Sequence, residues 1–156
     1  MGQYQERIYW HIRRMVTEHE DANDVTQNCF IKVYRSIGRF EGKSKLYTWL
    51  YRIATNEAIT FLNKKKRKPT SSIDNEEDNL QNRLQADSYF DGDAAQAKLQ
   101  VALQTLPEKQ RLVFNMRYFD EMTYKDISEV LGTSVGGLKA SYHHAVKKIE
   151  ISLRNG

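Results

Sequence analysis

A single cysteine, Cys29, stands in the 156-residue chain. One thiol cannot build an internal disulfide framework or a cysteine-ligated zinc site. Long apolar stretches are missing as well: no uninterrupted run reaches half of the roughly 20 residues that span a bilayer, and no secretory signal opens the chain. The expected location is therefore cytoplasmic, with no membrane insertion. Proline occurs twice, both times at a joint: Pro69 halts a basic helical run, and Pro107 opens a helix. There are no heptads to make a dimer seam and no paired-carboxylate or histidine cluster to carry catalysis or a metal, so no cofactor is expected. The length allows one ordinary domain or two small ones, and excludes a large enzyme barrel.

What the chain does have is sorted charge. The formal net charge is only +4, but residues 1–68 carry 14 Lys/Arg against 7 Asp/Glu, residues 69–96 carry 1 against 7, and residues 97–156 carry 9 against 6. Two basic blocks flanking an acidic middle suggest two nucleic-acid-facing modules joined by a segment that avoids phosphate.

The stretch TYKDISEVLGTSVGGLKASYHHAVKK, Thr123 to Lys148, organises the second block. Thr123 with Asp126 three residues on starts a helix, Ile127, Val130 and Leu131 give it an apolar stripe, and Gly132 is placed to end it in a left-handed turn. Thr133 and Ser134 then open a second helix with Val135, Leu138, Tyr142, Ala145, Val146, Ile149 and Leu153 on one stripe. Its opposite arc holds Gly137, Ala140, Ser141, His144 and Lys148, flanked by Lys139, His143 and Lys147. An apolar back and a small, polar, basic front is the plan of a helix-turn-helix whose second helix enters the major groove. The competing reading is an αα-hairpin whose basic face meets only water. Adjacent helical residues point about 100° apart, so DNA contact or solvent suits His143 and His144 better than metal ligation.

In the first block, Tyr4, Ile8, Ile12, Met15 and Val16 stripe a helix running to about Thr17, with Arg7, Arg13 and Arg14 on other faces. The next helix opens at Glu20 and Asp21 with an acidic first turn and turns Val25, Cys29, Val33 and Ile37 inward. Its outer face reads Asp24, Gln27, Asn28, Ile31 and Arg35, and an outward Ile31 marks either a protein-binding face or scatter. Cys29 fits a small core filler better than a reactive thiol. After a loop over residues 38–45, a third helix from Leu46 to about Lys64 places Leu46, Trp49, Leu50, Ile53, Ala54, Ala58 and Phe61 in an apolar arc. Thr48, Arg52, Thr55, Asn56, Ile59 and Asn63 form the opposite side. The helix runs into Lys64, Lys65, Lys66, Arg67 and Lys68, a charge run that is either a solvated tail or a set of phosphate contacts. On the second reading Arg52 and Asn56 reach base edges, and Phe40, Tyr47 or Trp49 stacks on an unpaired base. Trp49 also suits core packing. Glu57 sits among the apolar positions and needs a partner, with Arg13, Arg14 or a tyrosine hydroxyl the candidates.

Residues 69–93 lack an apolar stripe and read as an acidic linker, largely extended or partly helical around Leu80 to Leu84. Its acids either solubilise or mimic nucleic acid. From Ala94 helices return, with Leu99, Ala102, Leu103 and Leu106 on one and Val113, Phe114, Met116, Tyr118 and Phe119 on the next. The expected fold is all-α: two small helical domains, 1–68 and 94–156, joined by the linker, the second containing the helix-turn-helix.

DANDVTQNCFIKVY, then TWLYRIATNEAITFLNKKKR, then LPEKQRLVFNMRYFDEMTYKDISEVLG with its following helix, resemble in order the extracytoplasmic-function (ECF) sigma factors of bacterial RNA polymerase. The resemblance implies that Asp21, Asp24, Gln27, Asn28 and Ile31 dock on the clamp helices of core polymerase. It implies that Phe40, Lys43, Lys45, Thr48, Trp49, Arg52, Asn56, Asn63, Lys64 and Lys65 recognise and melt the minus-ten element. It gives Thr133, Ser134, Gly136, Gly137, Lys139, Ala140, Ser141, His143, His144 and Lys147 the minus-thirty-five element, with the same domain binding the polymerase flap. Promoter DNA and core polymerase are thus the expected partners, and an anti-sigma factor a further one. The sequence departs from the family pattern in lacking most of the usual first helix, in Ser141 where a basic residue is frequent, in Gly137 where Thr or Ala is, and in His144 for Arg. A stand-alone helix-turn-helix regulator, acting without polymerase, is the alternative; a nucleic-acid enzyme would need the acidic or histidine cluster the chain lacks.

Overall fold

The computed structural model describes residues 2–42, 45–67 and 94–155, and among these the regular structure is entirely helical. Three helices form the first module: α1 (Gly2–Val16), α2 (His19–Ser36) and, after a 3₁₀ turn at Ile37–Arg39, α3 (Leu46–Arg67). Four form the second: α4 (Ala94–Gln104), α5 (Glu108–Phe114), α6 (Tyr124–Leu131) and α7 (Val135–Asn155). The acidic linker expected at 69–93, whether extended or partly helical around Leu80 to Leu84, lies outside the described residues. No described helix is long and apolar enough to cross a membrane.

In the first module the stripes behave largely as their spacing dictates. Ile8, Ile12, Met15 and Val16 of α1 and Val25, Cys29 and Val33 of α2 are buried against Leu50, Ala54 and Ala58 of α3. Ile37 departs from the expected inward stripe: α2 stops at Ser36, the chain tightens into the 3₁₀ turn, and the Ile37 side chain swings out to 46% exposure. Thr17 closes α1 with φ +72°, a left-handed conformation disfavoured for a β-branched residue. It is held there because its carbonyl accepts from Arg13 Nε at 2.7 Å and its N–H donates to the Arg13 carbonyl. Glu57 finds its partner across the α2–α3 seam in Lys32, not in Arg13, Arg14 or a tyrosine. A cation on the adjoining helix can follow the carboxylate to the edge of the core, whereas Arg14 is drawn to the other module.

The second module packs Leu103 and Leu106 against Phe114, Ala145 and Ile149. Pro107 precedes α5 as its cap rather than standing at its first helical position, and the helix then relaxes into a π-helical turn over Asn115–Phe119. The wider turn changes the register. Asn115 and Met116 become fully buried, while Tyr118, expected among the apolar contacts, turns out to 55% exposure. The two ends of the α7 stripe, Val135 and Leu153, are likewise exposed, while Leu138, Ala145 and Ile149 carry its packing.

The modules dock on each other. A single apolar cluster runs from Ile8, Leu50, Tyr51 and Ala54 to Leu112, Met116, Met122, Ile127, Val130 and Leu138. α3 is therefore enclosed on two sides at its start, by its own module and by α6.

Candidate nucleic-acid interface

The helix-turn-helix is built as its sequence signals require. The Thr123 hydroxyl accepts from Asp126 N–H at 3.1 Å and caps α6, and Gly132 at φ +69° ends it, its N–H donating to the Ser128 carbonyl. The Ser128 hydroxyl bonds the Thr133 carbonyl at 2.6 Å, and Ser134 Oγ accepts from Gly137 N–H at 3.1 Å to start α7. Capping by serine and threonine satisfies amides that both helix starts would leave bare.

This frame fixes the front of α7. Ser134, Gly136, Lys139, Ala140, His143, His144 and Lys147 are solvent-exposed, and Thr133, Gly137 and Ser141 are half-buried beside them. The His143 and His144 rings lie 6.0 Å apart, and no group of three or more metal-ligating side chains occurs among the described residues. Behind the front, Tyr142 stands between Phe114, at 5.7 Å, and Tyr124, whose ring Arg117 covers at 4.8 Å. The apolar back is thus anchored on aromatic rings, leaving a cationic surface of small side chains facing water.

The face expected on α3 is placed differently. Asn56, Asn63, Lys64 and Lys65 are exposed, Lys65 lying 3.5 Å from Asp21. Phe40 and Trp49 are half-buried with ring centroids 5.1 Å apart, so the aromatic pair forms at the loop end of α3. Thr48, expected to face outward, is fully buried, as is Thr55, whose Oγ1 lies 2.9 Å from Nε2 of the buried His11. Arg52 donates to the Glu129 carbonyl from Nη2 at 2.7 Å and Nε at 3.3 Å. Lys45 Nζ stands 3.5 Å from Asp126 Oδ2, and Tyr47 donates its hydroxyl proton to the same oxygen. Lys43 lies outside the described residues. The outward positions at the start of α3 are covered because α6 sits on them, a contact that helical periodicity cannot register.

Sequence reasoning missed the acceptors on the other side of this seam. Burial alone would raise the Asp126 carboxyl, but hydrogen bonds from Tyr47 and Thr123 and the Lys45 charge outweigh it and hold the group below the usual carboxylate range. Burial, and then the Asp126 bond, push the Tyr47 phenol up to about 12. Asp120, in the α5–α6 connection, approaches α1: its Oδ1 is 3.7 Å from Arg14 Nη1, its Oδ2 is 3.6 Å from His11 Nδ1, and its carbonyl accepts from Arg7 at 3.2 Å. The Arg14 guanidinium also stacks 4.3 Å over Phe119. His11 was the one available signal, an imidazole beside the core positions of α1.

The outer face of α2 matches its expected position. Asp24, Gln27, Asn28, Ile31 and Arg35 are exposed and Asp21 half-buried. Ile31 at 48% is joined by Tyr34 at 67%, which the sequence reading left unassigned although it stands three positions further along the same face. Ile31 and Tyr34 thus set two large apolar side chains among Asp24, Gln27, Asn28 and Arg35 on one exposed face.

Comparison with known proteins agrees across both modules. Residues 1–68 match the Sigma-70 region 2 family and residues 96–149 the Sigma-70, region 4 family. The chain is 34% identical over 167 residues to the RNA polymerase sigma-H factor of Pseudomonas aeruginosa, covering 97% of this chain and 82% of that protein. It is 32% identical over 162 residues to the ECF RNA polymerase sigma factor SigW of Bacillus subtilis, covering 97% and 86%. Among solved structures, the fold is similar to the sigma factor RpoE of Bartonella quintana in complex with the anti-sigma factor NepR, with TM-score 0.76 and 19% identity over 97% of this chain and 92% of that one. It is also similar to CnrH in complex with the cytosolic domain of CnrY, with TM-score 0.72 and 20% identity over 99% and 87%. With both sigma regions present in order, and relatives above 30% identity spanning nearly its whole length, the chain belongs to the ECF sigma factors of RNA polymerase.

Proposed function

We propose that the chain directs promoter recognition by carrying two DNA-facing modules on one core polymerase, as a binding protein with no catalysis of its own, working in the cytoplasm. The observation that carries the reading is the front of α7: a small, basic, solvent-facing surface on a capped helix-turn-helix. In it, Lys139 and Lys147 neutralise phosphates while Ser141, His143 and His144 face base edges of the minus-thirty-five element. Ser134, Gly136 and Gly137 let the helix start approach the backbone closely. On the first module Lys43, Lys45, Lys64 and Lys65 hold phosphates, Arg52 and Asn56 contact bases of the minus-ten element, and Phe40 with Trp49 receives an unpaired base. The Asp21–Ile31 face of α2, extended by Tyr34, docks on the polymerase clamp. An anti-sigma factor is a further partner, supported by the two solved relatives' complexes.

Each module alone makes few specific contacts, so neither binds a promoter tightly. Mounting both on one enzyme makes the second contact intramolecular, and a tether of roughly 25 residues spans tens of ångströms. The decisive experiment is run-off transcription from a promoter library with core polymerase, beside a pull-down of core. The chain should retain core and confer selective initiation, with weak, salt-sensitive DNA binding when free. Nanomolar binding of a short operator by a free dimer in physiological salt would instead establish the stand-alone regulator.

A further inference from the structure

The front of α7 presents two neighbouring imidazoles that the fold itself does not use. His143 and His144 are exposed with ring centroids 6.0 Å apart, and among the described residues neither has a hydrogen-bond or ion-pair partner. The residues before them on this front are small, Gly136, Gly137, Ala140 and Ser141, so a duplex lying there meets the imidazoles together with the lysines. Every charge within one helical turn of the pair is positive: Lys139 precedes it, and Lys147 and Lys148 follow. Glu150, the one acid of α7, stands two turns away, roughly 10 Å along the axis. Of the elements packed on α7, α4 brings Lys98, α5 brings Glu108, Lys109 and Arg111, and α6 brings Lys125, Asp126 and Glu129. The π-helical turn adds Arg117, which covers Tyr124. None of these acids pairs with either imidazole, and Asp126 is committed to Tyr47 and Lys45.

We propose that His143 and His144 engage the duplex as imidazolium, so that α7 takes up protons as it binds and its grip on the minus-thirty-five element strengthens as pH falls. This rests on the reading of α7 as a DNA-facing helix. A neutral imidazole carries one donor and one acceptor, whereas imidazolium carries two donors. The groove offers acceptors: phosphate oxygens along both rims, and guanine N7 and O6 between them. Phosphate anions favour the charged form of a nearby base, so binding draws a proton on and release returns it. Imidazole is the side chain whose charge changes between pH 5 and 8, while the flanking lysines stay charged throughout. The front of α7 thus combines a fixed set of cations with a switchable pair. Each imidazolium also adds one charge to those that displace counterions from DNA, which steepens the salt dependence of binding by about 0.9 in log–log slope per ring. The two other imidazoles lie in the first module, His11 buried on Thr55 and His19 against Tyr9, away from this front.

The test uses the full chain and two double variants, His143→Gln with His144→Gln, and His143→Lys with His144→Lys. Binding of a fluorescein-labelled random-sequence duplex of about 30 base pairs is read by anisotropy at pH 6 and pH 8 over a series of salt concentrations. Circular dichroism melting verifies that each variant folds. Wild type should bind about tenfold more tightly at pH 6 than at pH 8, with a salt slope steeper by about 1–2. The glutamine pair should be weak and indifferent to pH, and the lysine pair equally indifferent but at least as tight as wild type at pH 6. Wild-type affinity and salt slope that are the same at both pH values would overturn the proposal. So would a wild-type pH response surviving in both variants, since the proton would then sit on His11 or His19. A further variant, Lys139→Ala with Lys147→Ala, separates the two levels. Unchanged binding in it would remove the α7 reading itself, whereas lost binding beside a wild type blind to pH overturns the proton linkage alone.

Discussion

Adjacent glycines at the start of α7 should respond oppositely to the same substitution. Both sit within a helix, where exchanging glycine for alanine gains about 1 kcal/mol from propensity and a less mobile unfolded chain. At Gly136 an added Cβ meets nothing within 4 Å, so Gly136→Ala should realise that gain in full. At Gly137 the same carbon would stand 3.2 Å from Ser134 Oγ and 3.2 Å from Thr133 Cγ2. The Thr133 methyl can swing aside about χ1, but Ser134 Oγ is engaged, because it accepts the Gly137 N–H that starts the helix. Displacing the cap forfeits about 0.5–2 kcal/mol, which cancels or reverses the propensity gain. Urea denaturation of the two variants beside wild type should place Gly136→Ala about 1 kcal/mol above it and Gly137→Ala level with it or below, a melting difference of about 2–4 °C for a chain this long. Equal stabilisation by both substitutions would refute the claim that the Thr133–Ser134 turn is packed around Gly137. In anisotropy assays with duplex DNA, Gly136→Ala should also weaken binding several-fold if the phosphate backbone approaches that position.

Thr17→Gly should stabilise the chain by about 0.5–1 kcal/mol in the same denaturation assay, because it relieves a β-branched residue at φ +72°, and a loss of stability would show that the Thr17 side chain earns its place by packing. Burial first, and then the Glu57 charge, push the Cys29 thiol from 9.0 up to about 12, so native protein at pH 8 should resist alkylation that proceeds readily in urea; rapid native labelling would place the thiol at the surface. The linkage sign is that of an acid raised by folding: Cys29 costs no stability below pH 9.0 and destabilises progressively as pH rises from there toward about 12, and Cys29→Ala should flatten that decline in alkaline denaturation curves. Asp126 has the opposite sign. Its folded pKa lies below 3.8, so its contribution is complete above that value and is lost as pH falls through the folded one; the stability gap between wild type and Asp126→Asn should therefore be constant from pH 5 to 7 and narrow only in stronger acid.

Local chemistry determined most of the elements. Apolar spacing set the faces of α1, α2 and α7, and Thr123 with Gly132 fixed both ends of α6. The small, basic front of α7 was legible because it is made of consecutive residues on one helix whose opposite stripe is apolar. The outer face of α2 was legible for the same reason, although Tyr34 was passed over. Tertiary structure alone decided what covers the start of α3. Arg52 meets Glu129 from 77 positions away, Tyr47 meets Asp126 from 79, and Arg7 meets Asp120 from 113. Periodicity reports which face of a helix avoids water, and a polar face buried against another polar face carries no such period. The π-helical turn that exposes Tyr118 escaped for a related reason, since it alters the register on which the reading depends. The sequence by itself determined a pair of basic helical modules and the polar, basic faces their helices carry. That one of those surfaces is closed by the other module's acids follows only from packing, because hydrogen-bond partners between separate helices are chosen by geometry that no local pattern encodes.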